Sequence, residues 1–193
     1  MLHKISLNLS EKLVMLGADK SKTAVYAYGL ECLLSTAIIL VILILGGLLL
    51  RRTMDVLIYI AFWVPLRILV GGLHANSHLT CTILSVGLGI AAALFSDFVG
   101  ALPVLIPIAL ILICYVEFFM IAPVVHKNHP MSKHRRMIMG RAAKIFTAAE
   151  GGIAIALALC NSALFPAAFM GYFCTALLAA IGYFSKNTIK SFD

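Results

Sequence analysis

Six apolar runs, at about residues 31–50, 56–70, 82–96, 101–123, 145–160 and 163–184, occupy most of this chain and leave little polar sequence for a water-facing domain. A helix rises 1.5 Å per residue and needs about 20 residues to cross a bilayer core of about 30 Å. Each run is close to that length, and the shorter ones suit a tilted or partly recessed segment. The run at 56–70 is interrupted by Pro65 and Arg67. With 62% hydrophobic residues, 12% charged residues and a mean hydropathy of +1.04, the composition lies outside that of soluble domains. The pattern predicts an all-α, polytopic membrane bundle of about six segments, some short or re-entrant. We read residues 1–193 as a single membrane domain, with the bundle over 28–185.

The first long apolar run starts only near Leu30 and is followed by Arg51 and Arg52, so a cleaved signal peptide is not expected. Ahead of it, Leu2, Ile5, Leu9, Leu13 and Leu16 recur at helical spacing, with Lys4, Asn8, Glu11 and Lys12 beside or opposite them. This predicts an interfacial amphipathic helix within residues 1–27; a surface for docking a partner helix is the sharper alternative. Under the six-segment scheme, 12 of the 15 Lys and Arg fall on the side of the termini. The positive-inside rule then predicts cytoplasmic termini. The basic stretch 124–144 carries Lys127, Lys133, Arg135, Arg136, Arg141 and Lys144, for which anionic lipid is the favoured partner and an acidic peptide tail the alternative. No nucleic-acid partner is expected.

No phosphate-cradling glycine motif and no internal repeat stand out, which disfavours ATP-driven or repeat-built transport. The Ala148, Gly152, Ala156 spacing suits close helix packing within the bundle. Of the five cysteines, Cys32, Cys81, Cys114, Cys160 and Cys174, most lie inside apolar runs and form no disulfide or zinc pattern. Cys81 differs in having His74 and His78 nearby, behind the paired Gly71 and Gly72. A thiol with a histidine base can serve as a nucleophile. On a straight helix His74 and Cys81 would be about 10 Å apart along the axis, so pairing them needs a break in the backbone, which a turn or re-entrant loop could supply. His78, three residues before Cys81, would face it on a helix. The three side chains could also ligate zinc, although no carboxylate is spaced as in an HExxH site. Packing cysteine and interfacial histidine account for the same residues without chemistry. No cofactor and no metal is expected.

The pattern formed by Arg67, His74, Ala75, Cys81 and Ser85, with Gly72 before the histidine, resembles the AgrB family of accessory gene regulator proteins. A second block, Ala122, Pro123, Lys127 and Pro130 ahead of a basic run, is similar to the family's internal loop, and the likeness covers most of the chain. The resemblance implies a membrane cysteine endopeptidase that processes an AgrD-like precursor of a cyclic quorum-sensing peptide. It implies Cys81 as nucleophile and His74 as general base, with Arg67, Gly72 and Ser85 supporting the site within 67–85. It leaves His78 as a neighbour and implies a homodimer as one oligomeric state. Counting from helix ends sets Glu31, Arg67, Glu117 and Glu150 at one depth, within about 10 Å of the inner boundary. Intramembrane charges are costly unless paired, so Arg67 is expected to pair with Glu117 or Glu150 behind the site. The competing functional class is a peptide exporter component without protease activity, and a third is a metal-dependent membrane hydrolase.

Overall fold

A computed structural model describes residues 2–72, 78–125 and 132–185, and for Leu2, His78 and Leu79 it describes the backbone alone. Among these residues the chain is helical apart from short turns and one isolated bridge. It resolves into two compact units, residues 1–43 and 44–193.

The first unit holds α1 (Leu2–Met15) and most of α2 (Thr23–Leu49). The end of α1 follows from Gly17, whose φ of +104° is costly for other residues. Its N–H reaches Val14 O at 3.0 Å and that of Ala18 reaches Leu13 O at 3.0 Å, the paired bonds of a Schellman cap. The expected stripe of Ile5, Leu9, Leu13 and Leu16 is exposed, whereas Ser6 and Ser10 are buried. His3 Nδ1 lies 3.1 Å from the largely buried carboxylate of Glu31 and ties α1 to α2.

The second unit comprises the end of α2 with α3 (Thr53–Val70), α4 (His78–Gly100), α5 (Leu105–Ile121), α6 (Lys133–Leu159) and α7 (Phe165–Phe184). Helices α2, α3, α4, α6 and α7 are each long and apolar enough to cross a membrane, and α5, at 17 residues, is shorter. The six apolar runs therefore correspond to six helices, and the protein is a polytopic helical bundle.

Twelve of the 20 residues of α7 are buried, so this helix forms the centre against which α3, α4, α5 and α6 pack. Small side chains permit that role by letting backbones approach. A Cβ on Gly171 would lie 2.8 Å from Tyr59 O and 2.8 Å from Phe62 Cβ. The ring of Tyr172 meets Phe118 of α5 edge-on at 5.2 Å, and its hydroxyl donates to Thr147 O of α6 at 3.1 Å. Gly151 leaves room for that ring, since a Cβ there would lie 3.0 Å from the hydroxyl. At the other end, Arg52 forks onto Asp97, with Nη1 to Oδ1 at 2.7 Å, joining the start of α3 to the end of α4.

Three expectations change. Helix α6 starts at Lys133 rather than near residue 145: Ser132 caps it by accepting from Arg135 N at 3.3 Å, so much of the basic stretch is helix and not loop. The Ala148, Gly152 and Ala156 stripe faces outward, with nothing within 4 Å of a Cβ on Gly152. The packing face of α6 is instead Ala143, Thr147, Glu150, Gly151, Ala154 and Ala158, because Gly151 is the glycine that meets Tyr172. The shared depth of the charges also fails for Glu150, whose neighbour Gly151 sits against Ile111, in the middle of α5.

Candidate active site

Between Arg67 and Ser85 the described residues are the end of α3, a glycine turn at Gly71 and Gly72 and, from His78, the start of α4. Gly71 terminates α3 with φ +77° and ψ −143°, its N–H bonded to Arg67 O at 3.2 Å. The Arg67 side chain closes the same turn, Nη1 donating to Gly71 O at 2.9 Å. Gly72 has φ +131°, and a Cβ there would fall onto Arg67 Nη1 and 3.0 Å from Leu178 O of α7. Both glycines are required by conformation and by space.

The stretch after α5 crosses this turn. Val124 N donates to Val70 O at 2.8 Å, Gly71 and Val124 form a parallel bridge, and a Cβ on Gly71 would lie 2.5 Å from Val124 O. The peptide bond between Ala122 and Pro123 in this strap is cis. Pro123 in turn packs on α6, its Cδ 3.3 Å from where a Gly140 Cβ would stand. The two sequence blocks, 67–85 and 122–130, thus meet where Val124 reaches the glycine turn, a contact that their spacing does not reveal.

Helix α4 starts at His78, which puts Cys81 in its first turn. The Cys81 side chain is half-buried, and the Arg67 guanidinium lies near enough to interact electrostatically with its sulfur. Ser85, one turn further along α4, is buried at 5% exposure. His74 lies outside the described residues, and the ring of His78 is likewise not described. The structure therefore leaves open which imidazole faces the sulfur, and the zinc alternative depends on the same two rings.

Arg67 does not pair with Glu117 or Glu150. Its guanidinium is turned to Gly71 O and Cys81, while both carboxyls lie around Tyr172. Glu150 is only 8% exposed, and among the described residues one oxygen of each carboxyl, Glu117 Oε1 and Glu150 Oε2, is buried without a hydrogen-bond partner. The equal depth that the expected pairing assumed fails for Glu150 through the register of α6 against α5, and the Arg67 guanidinium is taken by the glycine turn. Sequence reasoning missed Leu178, whose carbonyl walls the turn, and Tyr59, which lies two helical steps from Arg67 beside Cys174. The four-residue spacing of Tyr59, Trp63 and Arg67 was a usable signal for the second.

Fold and site together define a polytopic helical membrane protein with a thiol and a guanidinium held together at the junction of two membrane helices. Residues 2–188 match the family model of accessory gene regulator B, and the chain belongs to the AgrB family. It is 30% identical over 150 residues to AgrB-like protein 2 of Clostridium perfringens (strain 13 / Type A), covering 72% of this chain and 70% of that one. An AgrB-like protein of C. perfringens (strain SM101 / Type A) is 29% identical over the same shares. No solved structure matches. The family ties the chain to the accessory gene regulator system of quorum sensing.

Proposed function

We propose that this protein is a membrane cysteine endopeptidase that removes the C-terminal tail of an AgrD-like precursor and closes the remaining peptide into a thiolactone or lactone. The observation that carries the reading is the Arg67 guanidinium facing Cys81 in the first turn of α4. In this reading His74 takes the proton of Cys81, and Sγ attacks the carbonyl carbon ahead of the tail. As the C–N bond breaks, the proton passes to the departing amine and an acyl-thioester remains on Cys81. A thiol or hydroxyl within the substrate then attacks that carbonyl, forms the ring and releases the Cys81 sulfur. Exchange of one thioester for another is nearly isoenergetic, so a thiolactone needs no ATP if water is kept from the intermediate.

The negative charge that passes between sulfur and carbonyl oxygen meets Arg67, which supplies fixed electrostatic stabilisation. Gly71, Gly72 and the Val124 strap keep the guanidinium in place. Ser85 packs below Cys81 on the same helix face. The positive-inside count favours this end of the bundle in the cytoplasm with both termini, where a thiol stays reduced.

Co-expression with an AgrD-like precursor, followed by mass spectrometry, tests the proposal. Wild type should yield tail-free cyclic peptide and a precursor adduct on Cys81 that hydroxylamine releases. Cys81→Ala and His74→Ala should leave the precursor uncut. Cleavage that persists in Cys81→Ala would refute the proposal, and export of uncut precursor by that variant would support the exporter alternative.

A further inference from the structure

Helices α5 and α6 run antiparallel: Ile111 lies beside Gly151, Phe119 beside Lys144 and Pro123 beside Gly140. Gly140 therefore marks the end of α5, and the seven residues of α6 before it, Lys133–Met139, project about 10 Å further. At 27 residues α6 is about 40 Å long, which exceeds a hydrocarbon core of about 30 Å by that same projection. Lys144, with Nζ 3.9 Å from the centre of the Phe119 ring, marks the boundary below which the cations begin.

The projecting turns have an ordered surface. Lys133 and Arg135 are exposed, and so are Met137 at 54% and Ile138 at 53%. Neighbours on a helix surface are three or four residues apart, so Lys133 lies beside Met137 and Arg135 beside Ile138. In each pair the apolar residue is the one nearer the membrane core. A surface made to hold a solvated acidic peptide has no use for exposed methionine and isoleucine, whereas a lipid boundary uses both halves: acyl chains against the apolar member, headgroup phosphate against the cation.

We infer that the start of α6 is a binding surface for anionic phospholipid, with Lys133 and Arg135 holding headgroup phosphates and Met137 and Ile138 contacting the upper acyl chains. The surface does not depend on the proposed peptidase chemistry. Each cation contributes about fivefold to the preference for anionic lipid.

The test uses the full chain in vesicles of equal phosphatidylglycerol and phosphatidylcholine, with native mass spectrometry counting the lipids that stay bound. Wild type should retain phosphatidylglycerol preferentially. Lys133→Gln/Arg135→Gln should lower that preference by more than about tenfold. Lys12→Gln/Lys20→Gln, an equal charge loss elsewhere, should keep most of it. Should the first double variant fail to insert, Lys133→Gln and Arg135→Gln singly should each lower it about fivefold. Equal preference in wild type and the α6 variants, or equal loss in both double variants, overturns the inference. So does binding of an Asp/Glu-rich decapeptide to wild type in pure phosphatidylcholine that the α6 variant loses while its lipid preference is unchanged, which would assign the surface to an acidic peptide.

Discussion

Gly72→Ala is the sharpest probe of the Arg67–Cys81 arrangement, because the added methyl group lands on the guanidinium. The backbone stands at φ +131°, and the Cβ would meet Leu178 O at 3.0 Å in addition to Arg67 Nη1. Holding an L-residue in such a conformation costs about 1–3 kcal/mol. The arginine can yield and the α7 backbone cannot, so Arg67 should swing away from Cys81. A hydrogen bond to a charged group contributes about 1.5–3 kcal/mol, so its loss in the transition state predicts a fall in kcat/KM of about ten- to hundredfold. The rate is read as tail release from an AgrD-like precursor in proteoliposomes, followed by mass spectrometry under kcat/KM conditions. Thermal unfolding of the same preparations reports the strain. A double-mutant cycle separates the two effects: in an Arg67→Leu background, Gly72→Ala should add little further loss of rate. Full additivity, or a lowered unfolding temperature with an unchanged rate, would refute the idea that Gly72 acts by holding Arg67 against the sulfur.

Adjacent glycines of α6 should respond in opposite ways. Gly151→Ala, whose Cβ would press on the Tyr172 hydroxyl at 3.0 Å, should destabilise by about 1–3 kcal/mol in detergent unfolding. Gly152→Ala, facing open space, should be neutral or stabilise by up to about 1 kcal/mol in the same assay. Tyr172→Phe removes the bond to Thr147 O and should cost about 1 kcal/mol, with the phenyl ring still packed on Phe118. Glu150→Leu deletes a buried carboxyl oxygen that has no partner and should raise stability by about 1–3 kcal/mol; a lowered unfolding temperature would show that the carboxyl is engaged.

Much of the fold was legible because hydropathy and helix length are local properties. Six apolar runs became six helices, and the stripe of α1 reads directly from its spacing. Helix ends were harder. The start of α6 was missed by 12 residues because its first turns are cationic, and cations at a membrane boundary do not break a helix that Ser132 has already capped. Which face of α6 turns inward was also misjudged: both Gly151 and Gly152 are small, and only the bulk of Tyr172 opposite selects between them.

The sequence alone determined that the chain crosses a membrane several times as helices, and that Arg67, Gly72, Cys81 and Ser85 lie close together, since these depend on composition and on short separations along one stretch. Tertiary structure alone decided what Arg67 does. Depth counted along single helices set it beside Glu117 or Glu150, but the register between α5 and α6 leaves those carboxyls around Tyr172. The glycine turn, braced by Val124 and Leu178, directs the guanidinium back onto Cys81. A long, flexible charged side chain takes the partner that the surrounding backbone leaves within reach, and that backbone comes from the stretch after α5 and from α7, at Val124 and Leu178, far along the chain from Arg67.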